Sequence, residues 1–149
     1  MSIEKKRDYI YWQIGFSLFE LLIVISIIGI LTAIVSVAYS GAQKKTRDVR
    51  RIEDLKLIQT AAEQYYSQNA YSYPTTYSSG DQWSPASGVV VLESYPSGPK
   101  GEDYSCATDC NASGYCICVA MENSANSNAN VSCQFNVSPK GYFCVKNQQ

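Results

Sequence analysis

The run FSLFELLIVISIIGILTAIVSVAY, Phe16 to Tyr39, is 24 residues of almost unbroken apolar character with one acid, Glu20, at its fifth position. As a helix rising about 1.5 Å per residue it is long enough to cross a hydrocarbon core of roughly 30 Å with some tilt. A charged side chain among acyl tails costs roughly 2.5 to 3.5 kcal/mol on insertion scales, so Glu20 calls for a functional reason and a cationic partner. The segment has none of its own, because no Lys or Arg lies between Arg7 and Lys44. The partner therefore comes from another protein, or from a new amino terminus made by cutting the chain just before Phe16.

The flanks decide what kind of segment this is. A secretory signal has an apolar stretch of roughly 7 to 15 residues closed by a small-residue cleavage site. This stretch is longer, and only Ala33 and Ala38 imitate such a site. Lys5, Lys6 and Arg7 precede it, but Lys44, Lys45, Arg47, Arg50 and Arg51 follow, so a plain count of positive charges would keep the C-terminal side in the cytoplasm. The cysteines argue the other way. Cys106, Cys110, Cys116, Cys118, Cys133 and Cys144 form an even set in a short region, which reads as a disulfide framework, and disulfides persist outside the cytoplasm. The C-terminal part is expected on the outer side.

Helical patterning continues past the apolar run. Val49, Ile52, Leu55, Ile58, Ala61, Ala62 and Tyr65 recur at spacings of three and four and make one stripe, with charges on the opposite face and Arg50 and Asp54 placed as an i,i+4 pair. Asn69 suits a helix end and Pro74 forbids continuation. If Gly41 does not break it, one helix runs from Phe16 to Gln68. A small head cannot bury so long an element, so the stripe is expected to pack on the chain's own sheet while the apolar half finds partners elsewhere.

Beyond the helix, residues 77–88 read as an irregular loop and Val89 to Tyr95 as a strand or short buried segment. Tyr115 to Met121 and Tyr142 to Lys146 have strand composition, Val131 to Val137 is a weaker third candidate, and Glu122 to Asn130 has the composition of an exposed loop. The expected class is α+β, a long N-terminal helix packed on a small antiparallel sheet. Cys116 and Cys118 stand two apart, so on a strand they face one side, with Cys144 and Cys133 as natural partners and Cys106 left for Cys110. This is one of the many connectivities six cysteines allow. The C-x3-C-x5-C-x-C spacing lacks paired C-x2-C knuckles and reads against zinc.

The chain holds no His, which excludes triads and metal sites that need imidazole. Residues 57–149 carry seven acids and three bases, so no basic nucleic-acid footprint lies there. Asn111-Ala-Ser and Asn130-Val-Ser fit a glycosylation pattern and are taken as coincidence. Nothing resembles a nucleophile, a paired acid and base or a phosphate-cradling loop, so no catalysis is expected.

Gly15-Phe16-Ser17-Leu18-Phe19-Glu20-Leu21-Leu22, with basic residues before it and an apolar helix after it, resembles the N-terminal signature of type IV pilins and of the pseudopilins of type II secretion systems. The resemblance covers residues 15 to about 66 well and the head loosely. It implies a leader, residues 1–15, removed after Gly15 by a prepilin peptidase, and N-methylation of the new terminal residue Phe16. It further implies a transmembrane and assembly helix over 16–39, an amphipathic helix half over 40–68, and a disulfide-stapled head over 69–149. Glu20 resembles the carboxylate that pairs with a neighbouring subunit's amine, and Gly29 a mid-helix glycine. Gly29 with Ala33 makes a small-xxx-small step that lets backbones approach. Val37 stands where many members carry a helix-breaking Pro.

Asn69 to Thr76, with its Tyr-Pro-Thr, is similar to the stretch that follows the long helix in major pseudopilins. Those often bind calcium in a head loop, which makes Glu102, Asp103 and Asp109 weak candidates in a chain otherwise expected to hold no cofactor. The implied role is a major-pseudopilin-like subunit of a type II secretion filament. Its partners would be its own copies, the peptidase, an inner-membrane assembly platform and lipid, with no nucleic acid. The alternatives are a surface type IV pilin for adhesion, twitching or DNA uptake, or a membrane-anchored binding domain that never polymerises.

Overall fold

The computed structural model describes residues 15–149, so residues 1–14 of the expected leader and the side chains of Val37 and Asp109 lie outside the described residues. Helix α1 spans Leu18–Gln68, followed by strands β1 (Ser105–Asn111), β2 (Gly114–Ala120) and β3 (Tyr142–Lys146), with a 3-10 turn at Ser124–Asn126. Gly41 does not interrupt α1. Two compact units divide at residues 39 and 40. The long helix and small antiparallel sheet expected from the sequence are both present.

In the first unit Ser17 caps the start of α1: its hydroxyl accepts from the Phe19 amide at 3.3 Å while its carbonyl accepts from Leu21 at 3.2 Å. By length and composition the helix can cross a membrane.

In the second unit, α1 presents Leu55, Ile58, Ala61 and Ala62, all at most 3% exposed, to the core. Against them pack Tyr73, Trp83, Leu92, Tyr95, Tyr104, Tyr115, Ile117, Val119 and Val145. The three strands form an antiparallel meander in the order β1-β2-β3, with Ile117 opposite Val145 and Cys118 opposite Cys144. Five consecutive residues of β2, Tyr115 to Val119, are buried because both faces are covered. Tyr115, Ile117 and Val119 face the helix, and Cys116 and Cys118 face a second, smaller core with Ala129 and Cys144.

Four readings need correction. The buried stripe of α1 starts with Asp48 and Arg51 rather than Val49, which is 43% exposed, because an ion network takes the inward positions of the first turns. β1 was not expected as a strand: its sequence SCATDCN has no apolar alternation, since it is an edge strand paired on one side and broken by register shifts. Val131 to Val137 is not a strand but a tight turn, with Cys133 and Asn136 at φ of 58° and 61° and one bridge joining Ala129 to Phe135. Within Glu122 to Asn130, Ala129 is fully buried and bridges both Phe135 and Tyr142, so this stretch is partly a structural strap. In Val89 to Tyr95, Leu92 and Tyr95 are buried while Val89 and Val90 are exposed, and a single bridge joins Leu92 to Trp83.

Since Leu55 and Ile58 are fully buried, Leu55→Ala or Ile58→Ala is expected to destabilise the head by about 2 to 5 kcal/mol. Urea denaturation followed by near-ultraviolet circular dichroism measures it, and a change under about 0.5 kcal/mol would contradict the packing described.

Candidate functional site

Two constellations stand out, one in each unit. In the first, Gly15, Phe16 and Ser17 precede the helix, Phe16 is 83% exposed, and Glu20 lies in the first helical turn. Ser17 and Glu20 stand three apart, the spacing of a capping box, and the helix N-terminus carries a partial positive charge that favours a carboxylate there. That local preference was not drawn from the sequence, although Ser-x-x-Glu before an apolar run announces it.

The remaining polar side chains along this stretch are satisfied by the helix itself. Ser26 donates to the Ile23 carbonyl at 2.7 Å, Thr32 to Ile28 at 2.9 Å and Gly29 at 3.0 Å, and Ser36 to Thr32 at 2.8 Å. Such back-bonding leaves no hydroxyl seeking water in an apolar medium. Among the described residues no hydrogen bond or ion pair reaches Glu20. Phe19, Leu21, Ile25, Leu31 and Val35 are more than half exposed. A Cβ built on Gly29 meets nothing within 4 Å, so this chain's own packing does not require a glycine there.

The second constellation ties α1 to the head. Arg47 makes a two-pronged pair with Glu122 at 2.6 and 2.7 Å. The buried Arg51 donates to Asp48 at 2.9 Å, to Glu122 at 3.3 Å and to Glu102. Lys100 reaches Glu122 at 3.1 Å. Asp48, fully buried, also accepts from the backbone amides of Glu122 and Asn123, both at 2.9 Å. Three cations thus face three carboxylates. A buried charge is tolerable under such pairing, and removing one member leaves another stranded.

The electrostatics follow from these contacts. Burial opposes ionisation of Asp48, but the two amides and Arg51 outweigh it and hold its carboxyl below the usual range. Burial likewise opposes ionisation of Glu102, and Arg51 again prevails. The Arg47 guanidinium holds Glu122 far below the ordinary carboxylate range. Lower on the helix, Glu63 accepts from the Tyr73 hydroxyl at 3.0 Å, the Tyr115 hydroxyl at 3.4 Å and the Gln148 amide at 3.0 Å. Asp54 accepts from the Tyr104 hydroxyl at 2.5 Å. Burial pushes all three tyrosines up, and the carboxylates they face push the same way.

Of the calcium candidates, Glu102 is engaged by Arg51 and by the Lys100 amide at 2.7 Å, and Asp103 is exposed. The cysteines form three disulfides, Cys106 to Cys110, Cys116 to Cys133 and Cys118 to Cys144.

Folded-state values below the unfolded ones mean that Asp48, Glu102 and Glu122 confer their full stability above about pH 4.5 and lose it as pH falls further. The urea midpoint of the head is expected to drop on acidification through that window, and less steeply in Glu122→Gln. An identical pH dependence in that variant would remove Glu122 from the network.

Comparison with known proteins finds the prokaryotic N-terminal methylation motif over residues 13–36. Over 92 residues the chain is 30% identical to the type II secretion system core protein G of Vibrio cholerae serotype O1 (strain ATCC 39315 / El Tor Inaba N16961). That alignment covers 62% of this chain and 56% of the relative, so the chain spans little more than half the length of the protein it matches. No solved structure matches it.

Proposed function

We propose that the chain is a member of the pilins and pseudopilins, a family of structural subunits, and that it is a filament subunit assembled through α1; the N-terminal methylation motif and the similarity to a type II secretion core protein support this. In this reading the chain is inserted in the bacterial inner membrane as a single pass over residues 16–39, with the head outside the cytoplasm. A prepilin peptidase trims it after Gly15, and the amine of Phe16 is methylated. Copies then join a homopolymer at an inner-membrane platform, in the pseudopilus of a type II secretion system. The similarity to a type II secretion core protein supports the last step.

The single observation that carries the reading is Glu20, in the first turn of an apolar helix whose Ser26, Thr32 and Ser36 hydroxyls are turned onto its own carbonyls. Cleavage before Phe16 would create an ammonium at the positive end of the helix dipole, where a cation is disfavoured. A carboxylate from an adjoining copy relieves both charges, since an ion pair in a water-poor setting is held when geometry is good and costs about 3 to 5 kcal/mol when one partner is removed. Gly29, which the chain's own packing does not require, suits the close approach of a neighbouring helix.

A second reading, a surface type IV pilin, is favoured by the three disulfides that staple the head, as suits exposure outside the cell. Genes for a secretin and secretion machinery beside this one support the first reading, and abundant filaments sheared from the cell surface support the second.

Glu20→Ala is expected to leave insertion and trimming intact while lowering filament yield by at least about tenfold, a loss of more than about 1.4 kcal/mol per contact. Wild-type yield would refute the charge pairing. Replacing Gly15 with Leu is expected to leave an unprocessed band on a gel and a mass spectrum beginning at Met1. Normal trimming in that variant would move the junction elsewhere.

A further inference from the structure

The sulfurs of Cys116, Cys118, Cys133 and Cys144 all lie within 4.8 Å of one another. Two neighbouring disulfides, Cys116 to Cys133 and Cys118 to Cys144, carried by β2, β3 and the turn at Cys133, bring them together. Tetrahedral zinc with Zn–S bonds of about 2.3 Å needs sulfurs about 3.8 Å apart, so on reduction the two bonded pairs open by nearly 2 Å while the other sulfurs close by about 1 Å at most. Three of the four cysteines are buried and Cys133 half-buried, which shields thiolates from competing water.

The cage is positioned by more than its disulfide bonds. Cys118 and Cys144 are direct partners in the β2–β3 ladder. The Asn128 side chain clamps Cys144, accepting from its amide at 2.8 Å and donating to its carbonyl at 2.9 Å. The Asn130 side chain accepts from the amides of Ser132 and Gln134, both at 3.0 Å, and so fixes the turn that carries Cys133. A cavity of about 240 Å³ lined by Thr108, Cys116, Ser132, Cys133 and Lys146 gives a small reductant or an ion a way in.

We propose that the reduced head is a four-thiolate site for one soft divalent cation, zinc being the probe. The two disulfides are first reduced by a dithiol or phosphine, each taking up two electrons and two protons to give two thiols while the reductant is oxidised. Zinc then replaces the four thiol protons, which pass to solvent, and forms four Zn–S bonds. The disulfide and metal states exclude each other and close the same small core.

The test uses the full chain in detergent micelles, reduced with a phosphine under anaerobic conditions and titrated with Co²⁺ and then Zn²⁺. The expected result is one Co²⁺ per chain, with thiolate charge-transfer absorption in the near ultraviolet and tetrahedral d–d bands in the red, both abolished when Zn²⁺ displaces it. Cys106→Ser/Cys110→Ser, whose sulfurs lie outside the cage, is expected to titrate like the unmodified chain. Cys116→Ser/Cys133→Ser, and separately Cys118→Ser/Cys144→Ser, should weaken binding by more than about a hundredfold, exceeding the effect of losing an outer-shell partner. Absence of the tetrahedral spectrum in the reduced chain overturns the proposal. So does an equal spectrum from either cage variant, which would assign the metal to loose thiols.

Discussion

The head cannot make a core without the inner face of the helix. Sheet and loops contribute mostly large aromatic side chains on one side, and the matching surface is Leu55, Ile58, Ala61 and Ala62 on α1. Two of those four are alanines, so the rings of Tyr73 and Tyr115, 5.1 Å apart and edge to face, come close to the helix backbone. Small residues there are what let a short three-stranded sheet, too small to fold alone, share its burial with one helix.

Around that apolar seam the polar contacts are arranged so that each helix carboxylate facing the head meets a donor. Asp48 takes amides and Arg51, Asp54 takes Tyr104, and Glu63 takes Tyr73, Tyr115 and Gln148. Spread over more than four turns, these contacts fix the rotation of the helix as well as its distance. A slip of one residue would carry three acids away from their donors. Apolar packing of alanines and rings alone would tolerate such a slip more readily.

Much of this was legible in the sequence. Periodicity located α1, its end near Gln68 and most of its inward face, and strand composition located β2 and β3. Asp48 and Arg51 escaped because a hydrophobic pattern assigns charges to the outside, while here two charges cancel in place and become part of the interior. β1 escaped because an edge strand stitched by Cys106 and Cys110 has no need of alternating apolar residues. The grouping of the cysteines was legible, because two residues apart on a strand share a face, and the structure joins Cys116 to Cys133, Cys118 to Cys144 and Cys106 to Cys110.

Trp83 is buried against Tyr77 and Tyr95, with ring centroids 5.3 and 5.5 Å away. The only other tryptophan in the sequence is Trp12, ahead of Gly15. Indole emission from residues 15–149 therefore comes only from the interior of the head, none of it from the apolar helix. That buried ring is an optical gauge of head integrity, readable without any added label.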